Sequence, residues 1–253
     1  MHILITNDDG IFAPGLRTLV ELLSEAFEVT VVAPDREMSA MSHAITVTRP
    51  LRVTEYNGFG QKVPAYMIDG TPSDCVKLAV DALSKRRFDI VVSGINSGPN
   101  LGTDVLYSGT VSGAIEGVIN GLPAIAVSAA SAEEPNYHGA ASFTVNLVKL
   151  VLSNGLPEDT LLNVNVPAFP ANRFPVKVTR LGKRRYINVF DKRTDPRGRE
   201  YYWMAGDPHD ASESDEADTE AIQQGYISVT PLHLDLTSDS LFKDLQSWPF
   251  GSK

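Results

Sequence analysis

Apolar residues in the first two thirds of the chain follow two alternating periodicities. Short runs rich in Val, Ile and Leu, with little polar alternation, occupy His2–Thr6, Val29–Ala33, Asp89–Ser93 and Ala124–Ser128. Strands buried on both faces of a parallel sheet read this way. Between them the spacing turns helical. Leu16, Leu19, Val20, Leu22, Leu23 and Ala26 form one stripe behind Pro14, a residue suited to a first helical turn. Thr71-Pro72 has the form of an N-cap followed by proline, ahead of Val76, Ala79, Val80 and Leu83. A third helix is predicted from Gly109-Thr110 to just before Gly121 and Pro123, and a fourth from about Gly139 to Ser153, ending at Asn154-Gly155. Strand and helix in this alternation predict an α/β fold with a doubly wound, mostly parallel sheet.

After Pro167 the pattern changes. Residues Arg173–Arg199 hold ten basic and two acidic side chains, and Asp207–Glu220 hold seven acidic and no basic ones. Tyr186–Asp191 and Arg199–Trp203 flank an Asp195-Pro196-Arg197-Gly198 turn, which predicts a C-terminal β-hairpin or extended arm. The opposed charge blocks are expected either to be solvated or to meet another subunit. The chain is expected to be one domain over residues 1–253, with a core over about 1–170 and an extension over about 171–253.

Composition narrows the classes of function. The 253 residues are 43% hydrophobic and 21% charged, enough to bury a core, and the net charge of −9 disfavours a nucleic-acid polymer as partner. One cysteine, Cys75, excludes an internal disulfide and a cysteine-built zinc site; it is expected to pack rather than react. Met1–Thr6 has no basic leader and no apolar run is long enough for a bilayer, so a soluble, cytoplasmic protein without membrane contact is expected.

Several familiar motifs are missing: the P-loop, the dinucleotide glycine fingerprint, the G-x-S-x-G nucleophile turn and any H-x-x-x-H pair. The residues with chemical potential lie where an open parallel sheet builds its sites, after the carboxyl ends of strands. The first strand runs into Asn7-Asp8-Asp9-Gly10, the second into Asp35-Arg36 and Ser39, and the third into Gly94–Gly102 with Asn96. Adjacent acids without a cationic neighbour repel one another, and a divalent cation relieves that repulsion. With a serine hydroxyl and an asparagine carbonyl they make an all-oxygen shell, which suits Mg²⁺ or Mn²⁺. The alternative is a tight turn whose aspartate caps the next helix. Ser108-Gly109-Thr110 opens a helix and offers amide and hydroxyl donors to a phosphate, or else is a simple cap with close packing at Gly113 and Gly117. His43 and His233 read as structural histidines, and Arg36 as a weak phosphate candidate.

Five ordered segments carry a resemblance to a known family: Ile3–Gly10 with Pro14-Gly15, Val32–Pro34 leading to Ser39, Gly70–Cys75, Ser93–Gly102 and Tyr107–Ala114. Together they resemble the SurE family of survival proteins, metal-dependent 5′/3′-nucleotidases, and the looser segments Asn163–Pro167, Gly198–Trp203 and Gly225–Leu236 extend the likeness over most of the chain. The resemblance implies a Rossmann-like core, an arm used in a homodimer or homotetramer, and one divalent metal ion per subunit on Asp8, Asp9, Ser39 and Asn96. It implies a phosphatase of the acid type acting on nucleoside monophosphates, with short-chain polyphosphate as a further substrate. In that reading Asp8 or Asp9 orients or deprotonates water. Asn96, Ser108, Gly109 and Thr110 would bind the phosphate. An aspartyl-phosphate enzyme and a non-catalytic nucleotide sensor are the rival readings.

Overall fold

In the computed structural model of the chain, which describes residues 1–168, 175–187, 189–204, 206–210, 214–248 and 250, the sheet grows outward from its first strand. Strand β1 (His2–Thr6) is buried throughout, and its residues alternate between two cores. Ile3 and Ile5 face one side, where helices α1 (Pro14–Ser24) and α4 (Tyr137–Asn154) pack. Leu4 faces the other, where α2 (Pro72–Leu78) and α3 (Gly109–Ile119) pack. That period of two puts both faces of one strand into hydrophobic contact, which is why its sequence shows no polar alternation.

Strands β2 (Glu28–Pro34), β3 (Val53–Glu55), β4 (Ala65–Ile68), β5 (Ile90–Ser97), β6 (Ala124–Ala129), β7 (Thr160–Val166), β8 (Val176–Val178) and β13 (Ile227–His233) complete a nine-stranded sheet in the order β3-β4-β2-β1-β5-β6-β7-β13-β8. The pairs from β4 through β7 are parallel; β3 and β13 join antiparallel to β4 and β7, and β8 runs parallel to β13. The expected doubly wound α/β architecture is present, with β3, β4, β7, β8 and β13 added to the strands foreseen. Beyond the large sheet, β9 (Arg184–Ile187) pairs with β12 (Asp207–Asp210), and β10 (Phe190–Thr194) with β11 (Glu200–Met204). Short helices α5 (Asp218–Gln223) and α6 (Asp239–Leu245) flank β13 in sequence.

Thr71 caps α2 as anticipated: its hydroxyl accepts from the Asp74 amide at 3.1 Å while Asp74 Oδ2 accepts from the Thr71 amide at 2.9 Å. One expectation needs correction. The hairpin around Asp195–Gly198 exists, but its first strand is Phe190–Thr194, because Arg184–Ile187 is taken by Asp207–Asp210. The charge blocks are largely solvated, as one of the alternatives had it, and touch within the chain at two points: Arg184 Nε lies 2.7 Å from Asp210 Oδ1, and Arg180 Nε, exposed, 3.0 Å from Glu216; Arg184 Nη1 also lies 3.2 Å from Asp104 Oδ2, outside the blocks. Arg173 and Glu213, also in those blocks, lie outside the described residues.

The strand expected to end at Ser93 continues to Ser97 through a bulge. Ser93 pairs with Ala126 and Asn96 with Ser128, so β5 uses one more residue than β6 over this stretch. Gly94 makes that possible, with φ of +141° and a backbone so near β6 that a Cβ would stand 2.4 Å from the Val127 carbonyl oxygen. Gly94→Ala is therefore expected to lower stability by about 2–3 kcal/mol, from forced φ together with overpacking. Chemical denaturation of the two proteins measures it.

Candidate functional site

The strand order reverses at β1: the chain passes from β1 to β2 on one side, and β5 lies on the other. Open α/β sheets bind ligands outside the carboxyl ends at such a switch point. Asp8 and Asp9 follow β1 there, Asn96 sits near the end of β5 beyond the bulge, Ser39 follows β2, and Ser108 precedes α3.

The hydrogen bonds assign different jobs to these residues. Asn7 closes the turn, donating Nδ2 to the Gly10 carbonyl at 2.9 Å. Helix α1 has Ala13 at its N-cap, with no side-chain cap. Neither aspartate is therefore needed to cap that helix. Asp8, only 4% exposed, accepts from the Thr110 hydroxyl at 2.5 Å. Asp9, half-buried, accepts from the Ser97 amide at 3.1 Å. The Met38 amide donates to the Asp8 carbonyl at 2.8 Å, which brings the Ser39 loop against the pair. Ser39 is exposed and donates to Glu37 at 2.7 Å.

Asn96 donates Nδ2 to the Gly98 carbonyl at 2.8 Å. A carbonyl only accepts, so this contact fixes the amide's orientation and leaves its oxygen as the unengaged end. Ser108 is buried and caps α3, accepting from the Val111 amide at 3.1 Å while its own hydrogen stays free. Thr110 spends its hydroxyl hydrogen on Asp8, and its backbone amide also faces that carboxylate and favours its ionised form. The first amides of α3 have no intrahelical partner and point out along the positive end of the helix. Gly109 brings them close: a Cβ there would lie 2.7 Å from Asp8 Cβ.

Burial dominates the electrostatics. Desolvation pushes the Asp8 carboxyl up to about 6, with the Thr110 hydrogen bond opposing and the Asp9 charge adding. Asp9 is raised as well, by desolvation first, with the Ser97 amide opposing and Glu37 adding. The charged side chains acting on the pair are thus negative ones. Among the described residues no group of three or more His, Cys, Asp or Glu side chains is placed to hold a metal. A cation at this pair would have to complete its shell from neutral oxygens, and the Asn96 carbonyl and Ser39 hydroxyl are the ones at hand. The donor chemistry fits a hard divalent ion.

Pattern reading missed the supports. Asn100 ties the loop after β5 to β6 and β7: its amide nitrogen donates to Asn165 Oδ1 and its Nδ2 to Ser128, both at 2.8 Å, and its carbonyl accepts from Asn163 and Asn165 at 2.9 and 3.0 Å. The Asn-x-Asn spacing in β7 was the available signal. An apolar groove of about 910 Å³ between α3, β8 and β13 includes Ile115, Val178 and Leu232 in its lining, and none of the candidate residues. Cys75 is fully buried, and desolvation holds its thiol well above the ordinary range, as packing rather than reactivity requires.

The raised Asp8 carboxyl sets a pH dependence. Folded Asp8 holds its proton more tightly than unfolded Asp8, so protonation stabilises the metal-free fold. That contribution is complete below the ordinary carboxyl value and is lost as pH rises through about 6. It amounts to about 3 kcal/mol. The melting temperature of metal-free protein relative to Asp8→Asn should therefore fall between pH 4 and 7, measured by calorimetry in chelator.

Comparison with known proteins agrees with this architecture. A family model described as Survival protein SurE matches residues 3–188. The 5′-nucleotidase SurE of Pelotomaculum thermopropionicum is 56% identical over 97% of this chain and 94% of its own length, and that of Desulforamulus reducens 54% over 98% of each. The crystal structure of the SurE protein from Aquifex aeolicus superimposes with a TM-score of 0.85 at 44% identity, covering 97% of this chain and 98% of that one. With its switch-point acids, its capped α3 and these matches along almost its whole length, the chain belongs to the SurE family.

Proposed function

We propose that this chain is a phosphomonoesterase that hydrolyses nucleoside 5′-monophosphates, and also 3′-monophosphates, to nucleoside and phosphate, with short-chain polyphosphate as a further substrate. The name 5′-nucleotidase borne by its relatives supports the 5′ ester. The observation that carries the reading is a carboxylate pair at the sheet's switch point, Asp9 half-buried and Asp8 buried against the start of α3. An anion-binding helix terminus and a cation-binding pair so near one another suit a ligand that is itself a phosphate.

Asp8, Asp9, Ser39 and Asn96 would hold one divalent ion per subunit, Mg²⁺ or Mn²⁺. Once bound, it would supply positive charge for phosphate oxygens and lower the pKa of a water. The chain's own groups do the rest. The Gly109 and Thr110 amides and the Ser108 hydroxyl receive phosphate oxygens, and the α3 dipole favours the charge that builds on them. Thr110 keeps Asp8 in one orientation. Asp9 is less buried than Asp8 and has Oδ2 held by Ser97, so a water can reach it. It orients that water in line with the ester bond and takes its proton; as the water oxygen bonds to phosphorus the bond from phosphorus to the ribose oxygen breaks, and that oxygen takes a proton from solvent.

The extension is proposed to join subunits into a homodimer or homotetramer. Strands β10 and β11 are exposed along their whole length, with Tyr202, Trp203 and Met204 at 56%, 59% and 76% exposure. Apolar side chains gathered so openly on a two-stranded ribbon suit a partner surface. Among the described residues no helix is long and apolar enough to cross a membrane. The single unpaired thiol, Cys75, suits a reducing compartment such as the cytoplasm.

Turnover of a nucleoside 5′-monophosphate is expected to vanish in chelator and return with Mg²⁺ or Mn²⁺. Asp8→Asn should cut it by roughly 10²–10⁴-fold while leaving the metal-free protein as stable or more so. Near-normal turnover of Asp8→Asn at ordinary metal concentration would return Asp8 to a merely structural role. Removing residues 190–204 should yield a monomer by light scattering; a full-length protein that is already monomeric at the same concentration refutes the arm's role.

A further inference from the structure

Between β2 and β3, residues 36–52 run without helix or strand, and Ser39 stands near the start of this stretch. Ala40 and Ser42 are left-handed, with φ of 55° and 52°. That backbone costs a non-glycine residue roughly 1–2 kcal/mol and persists only where the surroundings impose it. The surroundings here are specific. Beyond the Met38 amide on Asp8, Ser42 donates its amide to the Tyr107 carbonyl at 3.0 Å and its hydroxyl to the Leu106 carbonyl at 2.7 Å. His43 Nε2 then lies 3.0 Å from Glu116 Oε2, a close polar contact without hydrogen-bond alignment. Thr46 secures the far end on Asp74, through its amide at 2.8 Å and its hydroxyl at 2.6 Å.

Glu116 is the member of this set with no other explanation. It sits on α3, two turns beyond the phosphate-facing start, and is 3% exposed. Its Oε1 accepts from Asn120 Nδ2 at 3.0 Å, and Lys77 Nζ lies 3.9 Å away. A carboxylate so buried is costly unless partnered, and one partner comes from the loop. One helix thus bears the candidate phosphate donors at its end and, in its middle, an anchor for the loop that carries Ser39.

We propose that His43 is a positioning residue: through Glu116 it fastens loop 36–47 to α3 and so holds Ser39 against Asp8. The consequence for catalysis rests on the function proposed above, whereas the fastening itself does not. His43 touches no reacting atom. It acts by limiting the local opening of a segment that has no ladder of its own.

Hydrogen exchange of the metal-free protein and calorimetric Mn²⁺ binding test this for wild type, His43→Ala, His43→Gln and Glu116→Gln. In His43→Ala, exchange at the Met38 and Ser42 amides should quicken by about tenfold. Its Mn²⁺ affinity should fall by a similar factor, with the melting temperature little changed. Glu116→Gln, which keeps volume and the Asn120 contact, should shift in the same direction. His43→Gln, with an amide able to reach the same carboxylate, should restore both readouts. His43→Ala with wild-type exchange and wild-type Mn²⁺ affinity overturns the proposal. A wild type that binds no Mn²⁺ overturns the metal assignment instead, and the exchange rates then decide the fastening on their own.

Discussion

The first turn of α3 stands so close to the end of β1 that a methyl group at Gly109 would collide with Asp8. That close approach strips water from the Asp8 carboxylate and supplies the Thr110 hydroxyl in its place. Desolvation and the neighbouring negative charge raise its proton affinity, while the hydroxyl and the helix terminus oppose the rise. The net result is an acid held near neutrality in one orientation, with a second acid beside it and no basic side chain acting on either. An uncompensated site of this kind is less stable empty than filled by a cation. The properties of the candidate centre follow from that one contact between helix and strand.

Everything around the pair keeps the contact in register. The bulge at Gly94 re-aims Asn96, and Asn100 locks the following loop to β6 and β7 through buried amide bonds. Asp218, fully buried, accepts the Gly102 amide at 2.9 Å and the Gly182 amide at 2.8 Å. It thereby joins the C-terminal extension to the segment that leads into α3. Desolvation raises its carboxyl, and three backbone amides hold the ionised form against it. The extension therefore has a structural part beside the site as well as an exposed hairpin. On the other side, Ser39 lies on a long irregular loop tied by hydrogen bonds to α2 and to Leu106-Tyr107 ahead of α3.

Legibility followed the range of the interactions. Strands β1, β2 and β6, helix α1 and the Thr71 cap were readable because they are local: an apolar period, a proline in the first turn, a hydroxyl three residues from its amide. Strand β7 escaped because Asn163 and Asn165 interrupt its apolar run, and only the fold shows that they are buried to hold Asn100. Strand β13 escaped because Pro231 breaks its pattern. The hairpin shifted because Tyr186–Ile187 and Phe190–Thr194 are equally strand-like, and the choice fell to Arg184 pairing with Asp210. That pair is also where the largely solvated charge blocks touch, a contact no spacing along the chain could reveal.

The sequence by itself determined which residues could carry chemistry, since hard oxygen donors placed after successive strands of a doubly wound sheet must converge on one edge. It also determined that two adjacent acids lack a basic neighbour along the chain. Tertiary structure decided what each of them does. It left the turn to Asn7, buried Asp8 under α3, kept Asp9 within reach of water, spent the Thr110 hydroxyl on Asp8 and engaged the Asn96 amide nitrogen with the Gly98 carbonyl. The physical reason is that residue type and order are local properties. Desolvation, hydrogen-bond partnership and the resulting proton affinities arise only when segments as distant as positions 8 and 110 are packed against one another.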